Sequence, residues 1–187
     1  DRILSLARAY LTLEDLLGIK ARMIGTGFVG GKAAGMLLAR RILLANREFA
    51  WKDHLEQHDS FFVGSDVYYS YIVHNGWWKL LMQQKTDDGY FSAAAELRDR
   101  MRQGSFPEEI REALQQMLEY FGQYPIIVRS SSLLEDGFGN AFAGKYDSYF
   151  LANQGSPEER CARLEEAVRA IFVSTMSEDA LAYRRQR

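Results

Sequence analysis

Arg129 and its neighbours hold most of the polar chemistry that this sequence concentrates in one place. The run Ile126-Ile127-Val128 behind Pro125 predicts a short buried strand. That strand delivers Arg129 and the hydroxyls of Ser130, Ser131 and Ser132 into a loop. Glu135 and Asp136 follow, then Gly137, Gly139 and Gly144, before a strand-like alternation resumes at Tyr146, Ser148 and Phe150. Arginine offers a planar fork of N–H donors, and glycines let backbone N–H groups approach closely, so such a strand end suits phosphate oxygens. The same residues also fit a plain strand–loop–strand in which Arg129 pairs with Glu135 or Asp136.

A second set, Gly25-Thr26-Gly27-Phe28-Val29-Gly30-Gly31-Lys32, leads into residues 33–46, rich in Ala, Leu and Met and helical by propensity. Gly25, Gly27 and Gly30 have the G-x-G-x-x-G spacing of a dinucleotide fold, with Glu48 at roughly the expected distance downstream. Against that, no convincing strand precedes them and no further strand–helix alternation follows. A P-loop needs glycine at position 26 and a hydroxyl after the lysine, where Thr26 and Ala33 stand. Two readings remain from the residues alone. One is an anion held beside Lys32 at a helix N-terminus; the other is a tight glycine turn with an exposed lysine.

Other polar residues carry less. His54 and His58 stand four apart, a spacing that can pair on a metal, but no third ligand accompanies them and a solvated helix face is expected. His74 reads as a structural residue rather than a phosphoryl carrier. Tyr68, Tyr69, Tyr71, Trp77 and Trp78 could hold an adenine ring, yet aromatic clusters more often form core, and no site is assigned there.

Helices must position these groups. Residues 1–17 have helical apolar spacing, with Thr12 as an N-cap and Asp15 three residues on. Gly18 is expected to stop that helix, and 19–24 is either a short strand or a turn. Phe61-Phe62-Val63 predicts a buried strand, and Ser65 a cap for a helix over 66–75. Amphipathic helices are predicted over 91–103 and 107–120. The second opens with Pro107, Glu108 and Glu109 and carries Ile110, Ala113, Leu114, Met117 and Leu118 on one side. Ser156-Pro157-Glu158-Glu159 caps another helix to about residue 173, and a last one runs from 178 to the end. No internal repeat or low-complexity segment is present.

The 187 residues suit one domain or two small subdomains, and the 47% hydrophobic and 26% charged composition is ordinary for a folded chain. With 23 basic and 25 acidic residues the net charge is −2, which gives no support to a nucleic-acid partner. Apolar stretches are short and broken by charge, so no membrane partner is expected. A single Cys161 excludes an internal disulfide and fits a reducing cytoplasm. No charged-then-apolar leader opens the chain. It starts without methionine and stops at Tyr183-Arg184-Arg185-Gln186-Arg187, which reads as mid-helix, so a piece of a longer protein is expected.

Two of these motifs together resemble the nucleotide-binding domain of the pyruvate phosphate dikinase and phosphoenolpyruvate synthase family. Val128-Arg129-Ser130-Ser131, the pair Glu135-Asp136 and Phe142-Ala143-Gly144-Lys145-Tyr146-Asp147-Ser148 are similar to that family's V-R-S-S, E-D and F-A-G-x-x-[DE]-[ST] elements. Gly30-Gly31-Lys32 resembles its opening G-G-K, and Ala180-Leu181-Ala182-Tyr183-Arg184 its A-x-x-Y-R helix. The resemblance implies an α+β fold, the helix-rich first part of an ATP-grasp module with a small mixed sheet, preceded by a leading linker helix over 1–24. It implies ATP and Mg2+ as ligands, with the metal's carboxylates expected in a second half outside these residues and none assigned here. Lys32 and Arg129 would neutralise phosphate charge during transfer, and Gly144, Asp147 and Ser148 would cover the phosphate. Ser130 and Glu135 would shape the site. The implied partner is a phosphohistidine domain of the same full-length protein. Lys145-Tyr146 and Ser132-Leu133-Leu134 depart from the family's usual Gln-Gln and Ala-Thr-Ala. These departures keep a non-catalytic regulatory module in view beside a phosphotransferase, and a dinucleotide-dependent oxidoreductase stands as a third reading.

Overall fold

The computed structural model describes residues 2–56, 59–132 and 146–186. Two short helices, α1 (Arg2–Tyr10) and α2 (Leu13–Ala21), lead into β1 (Met23–Ile24) and α3 (Gly31–Ala45). A single 3-10 turn at Trp51–Asp53 precedes β2 (Phe62–Val63), after which α4 (Ser65–His74), α5 (Trp78–Gln84), α6 (Ser92–Met101) and α7 (Glu108–Phe121) follow. The hairpin strands β3 (Ile126–Arg129) and β4 (Ser148–Leu151), then α8 (Pro157–Ser174) and α9 (Glu178–Arg185), complete the described chain. The class is α+β, and the strands form two separate pairs: β1 runs parallel to β2, and β3 antiparallel to β4.

Capping signals place several of these elements. Thr12 and Asp15 form a reciprocal capping box on α2, and Ser156 and Glu159 form another on α8. Gly18 does not stop α2, which continues to Ala21 and ends at Arg22. The cost of an exposed helical glycine, roughly 1 kcal/mol, is outweighed by the capping box and by tertiary anchors. Asp15 pairs with Arg41 of α3 at 2.9 Å, and Arg22 bonds Asp59 and the Tyr120 hydroxyl at 2.7 and 2.8 Å. Residues 2–24 therefore form two helices and a strand rather than one leading helix. The segment 19–24 resolves into the end of α2 and β1.

The core lies among α4, α6, α7 and α8. In α7, Ile110, Leu114, Met117 and Leu118 recur at helical spacing and are buried together, as the sequence pattern requires. They meet Leu97 and Met101 of α6, Val67, Tyr71 and Ile72 of α4, and Leu164 and Val168 of α8. Each fully buried side chain of this size contributes about 1.5–3 kcal/mol. The aromatic block belongs here: Tyr71 is wholly buried, its hydroxyl donates to the Met101 carbonyl at 2.5 Å, and its ring lies against Trp77, Phe106 and Phe172.

The hairpin is tied to this core at its open end. Asn153, buried and in the left-handed region at φ 57°, donates to the carbonyls of Gly122 and Tyr124. Arg160 of α8 donates to the Asn153 side chain, to the Leu118 carbonyl in the last turn of α7 and to the carbonyl of its C-cap residue Gly122. The C-terminus of α7 is thereby satisfied where β3 departs. No helix among the described residues is long and apolar enough to cross a membrane.

Candidate phosphate-facing site

The hairpin register decides which side chains can act together. Arg129 lies directly opposite Ser148, and Ile127 directly opposite Phe150. Because strand side chains alternate, these four share one face, and Ile126, Val128, Tyr149 and Leu151 share the other. The inner face meets the core through Ile126, Val128 and Leu151. The outer face is open: Ile127 is 43% and Phe150 83% exposed, and both Arg129 and Ser148 are exposed. The strand expected to be buried is thus buried on one side only. Among the described residues no carboxylate forms an ion pair with Arg129.

Immediately past Arg129 the chain docks on the start of α3. The Gly31 N–H donates to the Ser132 carbonyl at 2.9 Å. The Ala33 N–H donates to the Ser131 hydroxyl at 3.0 Å, across 98 residues of sequence. Gly30 occupies the N-cap position of α3 with no side chain to offer, and a Cβ there would lie 1.3 Å from the Ser131 carbonyl oxygen. Only glycine lets the two segments come this close. Lys32 is half-buried at the second helical position, between the two bonded residues Gly31 and Ala33. The two motifs, remote in sequence, are therefore one structural unit.

Beyond β4's start the geometry divides the other candidates. Ser148 shares the outer face with Arg129. The Asp147 carboxylate instead accepts from the Tyr149 hydroxyl at 3.3 Å, and its N–H donates to the Ser174 hydroxyl at 3.4 Å. Burial first, then the neighbouring Asp147 charge, push the Tyr149 hydroxyl above its ordinary pKa. Tyr146 is buried against Ala180 and Tyr183, so the tail motif anchors the segment that leads into β4. Arg184 of the same motif donates to the Thr175 carbonyl. Ser130 is 5% exposed, a buried hydroxyl rather than a surface one. Glu135 and Gly144 lie outside the described residues.

The glycine-rich stretch before α3 is built differently. β1 does precede it, and α3 links β1 to a parallel β2, so the missing strand and crossover of the dinucleotide reading are present in miniature. The loop's donors are nonetheless spent internally. Asp66, in the first turn of α4, accepts from the Thr26 and Gly27 N–H groups at 2.8 Å each. Ser65, expected as a helix cap, instead accepts from the Phe28 N–H at 3.0 Å, and its own N–H donates to the Phe28 carbonyl. Burial is the largest single influence on the Asp66 carboxyl and raises its pKa, but the Thr26 and Gly27 donors together hold it below the ordinary value. A pyrophosphate brought here would face a carboxylate already holding those donors.

Residue-type reasoning missed Ser131 and Asp66. Asp66 had a signal, an acidic residue in a helix's first turn; Ser131 had its place in the Val128-Arg129-Ser130-Ser131 element but nothing that pointed to Ala33. For metals, no group of three or more His, Cys, Asp or Glu side chains gathers among the described residues. His54 is exposed and His58 lies outside the described residues. Among the described residues, Arg129, Lys32 and the Ser131 and Ser148 hydroxyls are of the types that suit phosphate oxygens.

No curated protein and no solved structure matches the chain. The family model for the AMP/ATP-binding domain of pyruvate phosphate dikinase does, over residues 26–187, from the glycine loop through the hairpin to α9. This chain therefore belongs to that family, and it is a nucleotide-binding domain like that of pyruvate phosphate dikinase.

Proposed function

We propose that the module binds ATP with its phosphates over the Arg129–Ser148 rung and beside Lys32, and that in the complete protein the phosphoryl group passes from ATP to a carrier histidine on a separate phosphohistidine domain. The observation that carries this reading is the docking of the Gly30-Gly31-Lys32 turn on the strand end that presents Arg129. Two cations from distant parts of the chain are thereby supplied by one structural unit, and phosphoryl transfer depends mainly on such positioning and charge stabilisation. Arg129 holds a phosphate oxygen through its N–H fork, Lys32 acts as a second positive charge, and the Ser148 hydroxyl donates to an oxygen on the same face. Ser130, Glu135, Gly144 and Asp147 shape the surroundings. Mg2+ arrives with the nucleotide, and no step is assigned to it on this chain's side chains. A cytoplasmic location accords with ATP as the ligand.

Calorimetric titration with Mg-ATP tests the assignment. The chain should give saturable heat, and Lys32→Ala and Arg129→Ala should each weaken binding by about tenfold or more, since a hydrogen bond to a charged group is worth about 1.5–3 kcal/mol. Affinity unchanged in both variants would remove these residues from the site. Transfer is checked by mixing the complete protein with ATP and looking for acid-labile phosphohistidine. Its absence beside intact ATP binding would favour a regulatory module.

A further inference from the structure

Ser131 does more than follow Arg129 in sequence. An α-helix leaves its first N–H groups without internal partners, and an N-cap side chain ordinarily accepts from the third helical residue. In α3 the N-cap residue is Gly30, which has no side chain. The bond to the third residue, Ala33, is made instead by Ser131, from a segment 98 positions away. The Ser132 carbonyl takes the N–H of the first residue, Gly31, at 2.9 Å, and the first intrahelical bond, Ala34 to Gly30, is 3.0 Å. The helix start is thus capped in trans by the residues that follow the arginine.

This arrangement has two consequences. A phosphate at the start of α3 cannot use the Gly31 or Ala33 N–H groups without displacing Ser132 or Ser131, which shifts recognition toward side chains. And the backbone that carries Lys32, flanked by the two bonded residues, is tied by those bonds to the segment that carries Arg129, two residues before Ser131.

We propose that Ser131 is a positioning residue for polyphosphate recognition: by capping α3 in trans it sets the Lys32–Arg129 separation, and so favours nucleotides whose phosphate chain reaches both cations. The proposal rests on the nucleotide reading above. AMP, with one phosphate, engages one cation and gains little from a fixed separation. ATP spans both and gains from it, because a preorganised pair of charges needs no ordering when the ligand binds.

The test compares Ser131→Ala with the unsubstituted chain by calorimetry against Mg-ATP and AMP, with amide hydrogen exchange at Ala33 measured in the absence of nucleotide. The substitution should weaken ATP binding about tenfold and AMP binding less than twofold, and should speed exchange at Ala33 at least fivefold. Equal losses for the two nucleotides, or no loss for either, would overturn the positioning role while leaving the nucleotide reading intact. Unsubstituted chain that takes up neither nucleotide would count against that reading itself. Exchange at Ala33 unchanged by the substitution would overturn the cap whatever the nucleotides do.

Discussion

The molecule contains two places where a short strand feeds a polar turn, and they are finished in opposite ways. At the parallel pair, β1 opens into the Gly25–Phe28 loop, and Asp66 and Ser65 consume its backbone donors. At the antiparallel pair, β3 ends at Arg129, whose side chain stands opposite Ser148 on a face that nothing described covers. The first place is richer in glycine and looks more like a phosphate loop; the second is where cationic and hydroxyl donors point outward. Glycine content tells where backbones come close. Whether a ligand can use that closeness depends on what already holds the donors.

The most damaging way to break this contrast is at Gly30, which joins the two regions. Gly30→Ala places a Cβ 1.3 Å from a backbone carbonyl that cannot swing aside. Overpacking of this kind costs about 3 kcal/mol, which for a domain of this size lowers Tm by about 10 °C. ATP binding should be lost with it, because Lys32 is displaced from Arg129. A melting scan and one titration check both, and a Tm within 2 °C of the parent would show that the junction is looser than drawn.

Next in size is Asp66→Asn, which attacks the closed region alone. The amide keeps one acceptor where two backbone donors converge, so we expect a loss of about 2 kcal/mol, with ATP affinity within about twofold of the parent. The acid limb gives a second reading. The folded carboxyl titrates below its ordinary value of 3.8, so the unfolded chain takes up this proton first as pH falls. The stabilisation is therefore complete above about pH 5 and fades as pH drops through the lower folded value. Urea midpoints measured between pH 2.5 and 6 should fall more steeply in the parent than in the variant. Parallel curves would mean the carboxylate is not held as described.

Much of the scaffold was legible because local chemistry decides it. The capping boxes at Thr12 and Ser156 and the apolar face of α7 follow from residue type and spacing alone. Gly18 misled, since propensity is weak beside the tertiary anchors at Asp15 and Arg22. Ser65 misled for a related reason: a hydroxyl at a helix start has several possible donors, and here a loop 37 residues away supplies the one it takes. Ile126-Ile127-Val128 reads as fully buried because three apolar residues in a row hide the alternation that puts Ile127 outside. Within the site, the residue types around Arg129 were legible, but the pairing with Ser148 needs strand register, and the Ser131 bond to Ala33 needs the whole fold. Neither is a property of any window of sequence.

A smaller effect separates binding from stability on the open region. Ser148 is exposed and directly opposite Arg129, so removing its hydroxyl should leave Tm within about 1 °C. If it donates to a phosphate oxygen, Ser148→Ala should weaken ATP by about fivefold, the effect of one hydrogen bond worth about 1 kcal/mol. Unchanged affinity would confine the site to the two cations.

The smallest expected effect tests how far along the open face the proposed nucleotide site runs. Phe150 and Ile127 form the next rung outward, about 7 Å from Arg129 and Ser148 along the strands. Beside them lies an apolar recess of about 380 Å³, lined also by Pro125, Ile126, Leu151 and Ala152. The recess is apolar, which suits a ring system, but it lies at the end of the hairpin away from the docked Lys32 turn. Phe150 is 83% exposed and contributes little to the core, so Phe150→Ser should change stability by less than about 0.5 kcal/mol. If the phosphates are held at the Arg129–Ser148 rung and run back toward Lys32, its ATP affinity should also stay within about twofold. A larger loss for ATP, shared by AMP, would instead extend the site down the face and set the base against this ring. The same titration cell reads both results, and the shared loss would separate a contact with the base from one with the phosphates.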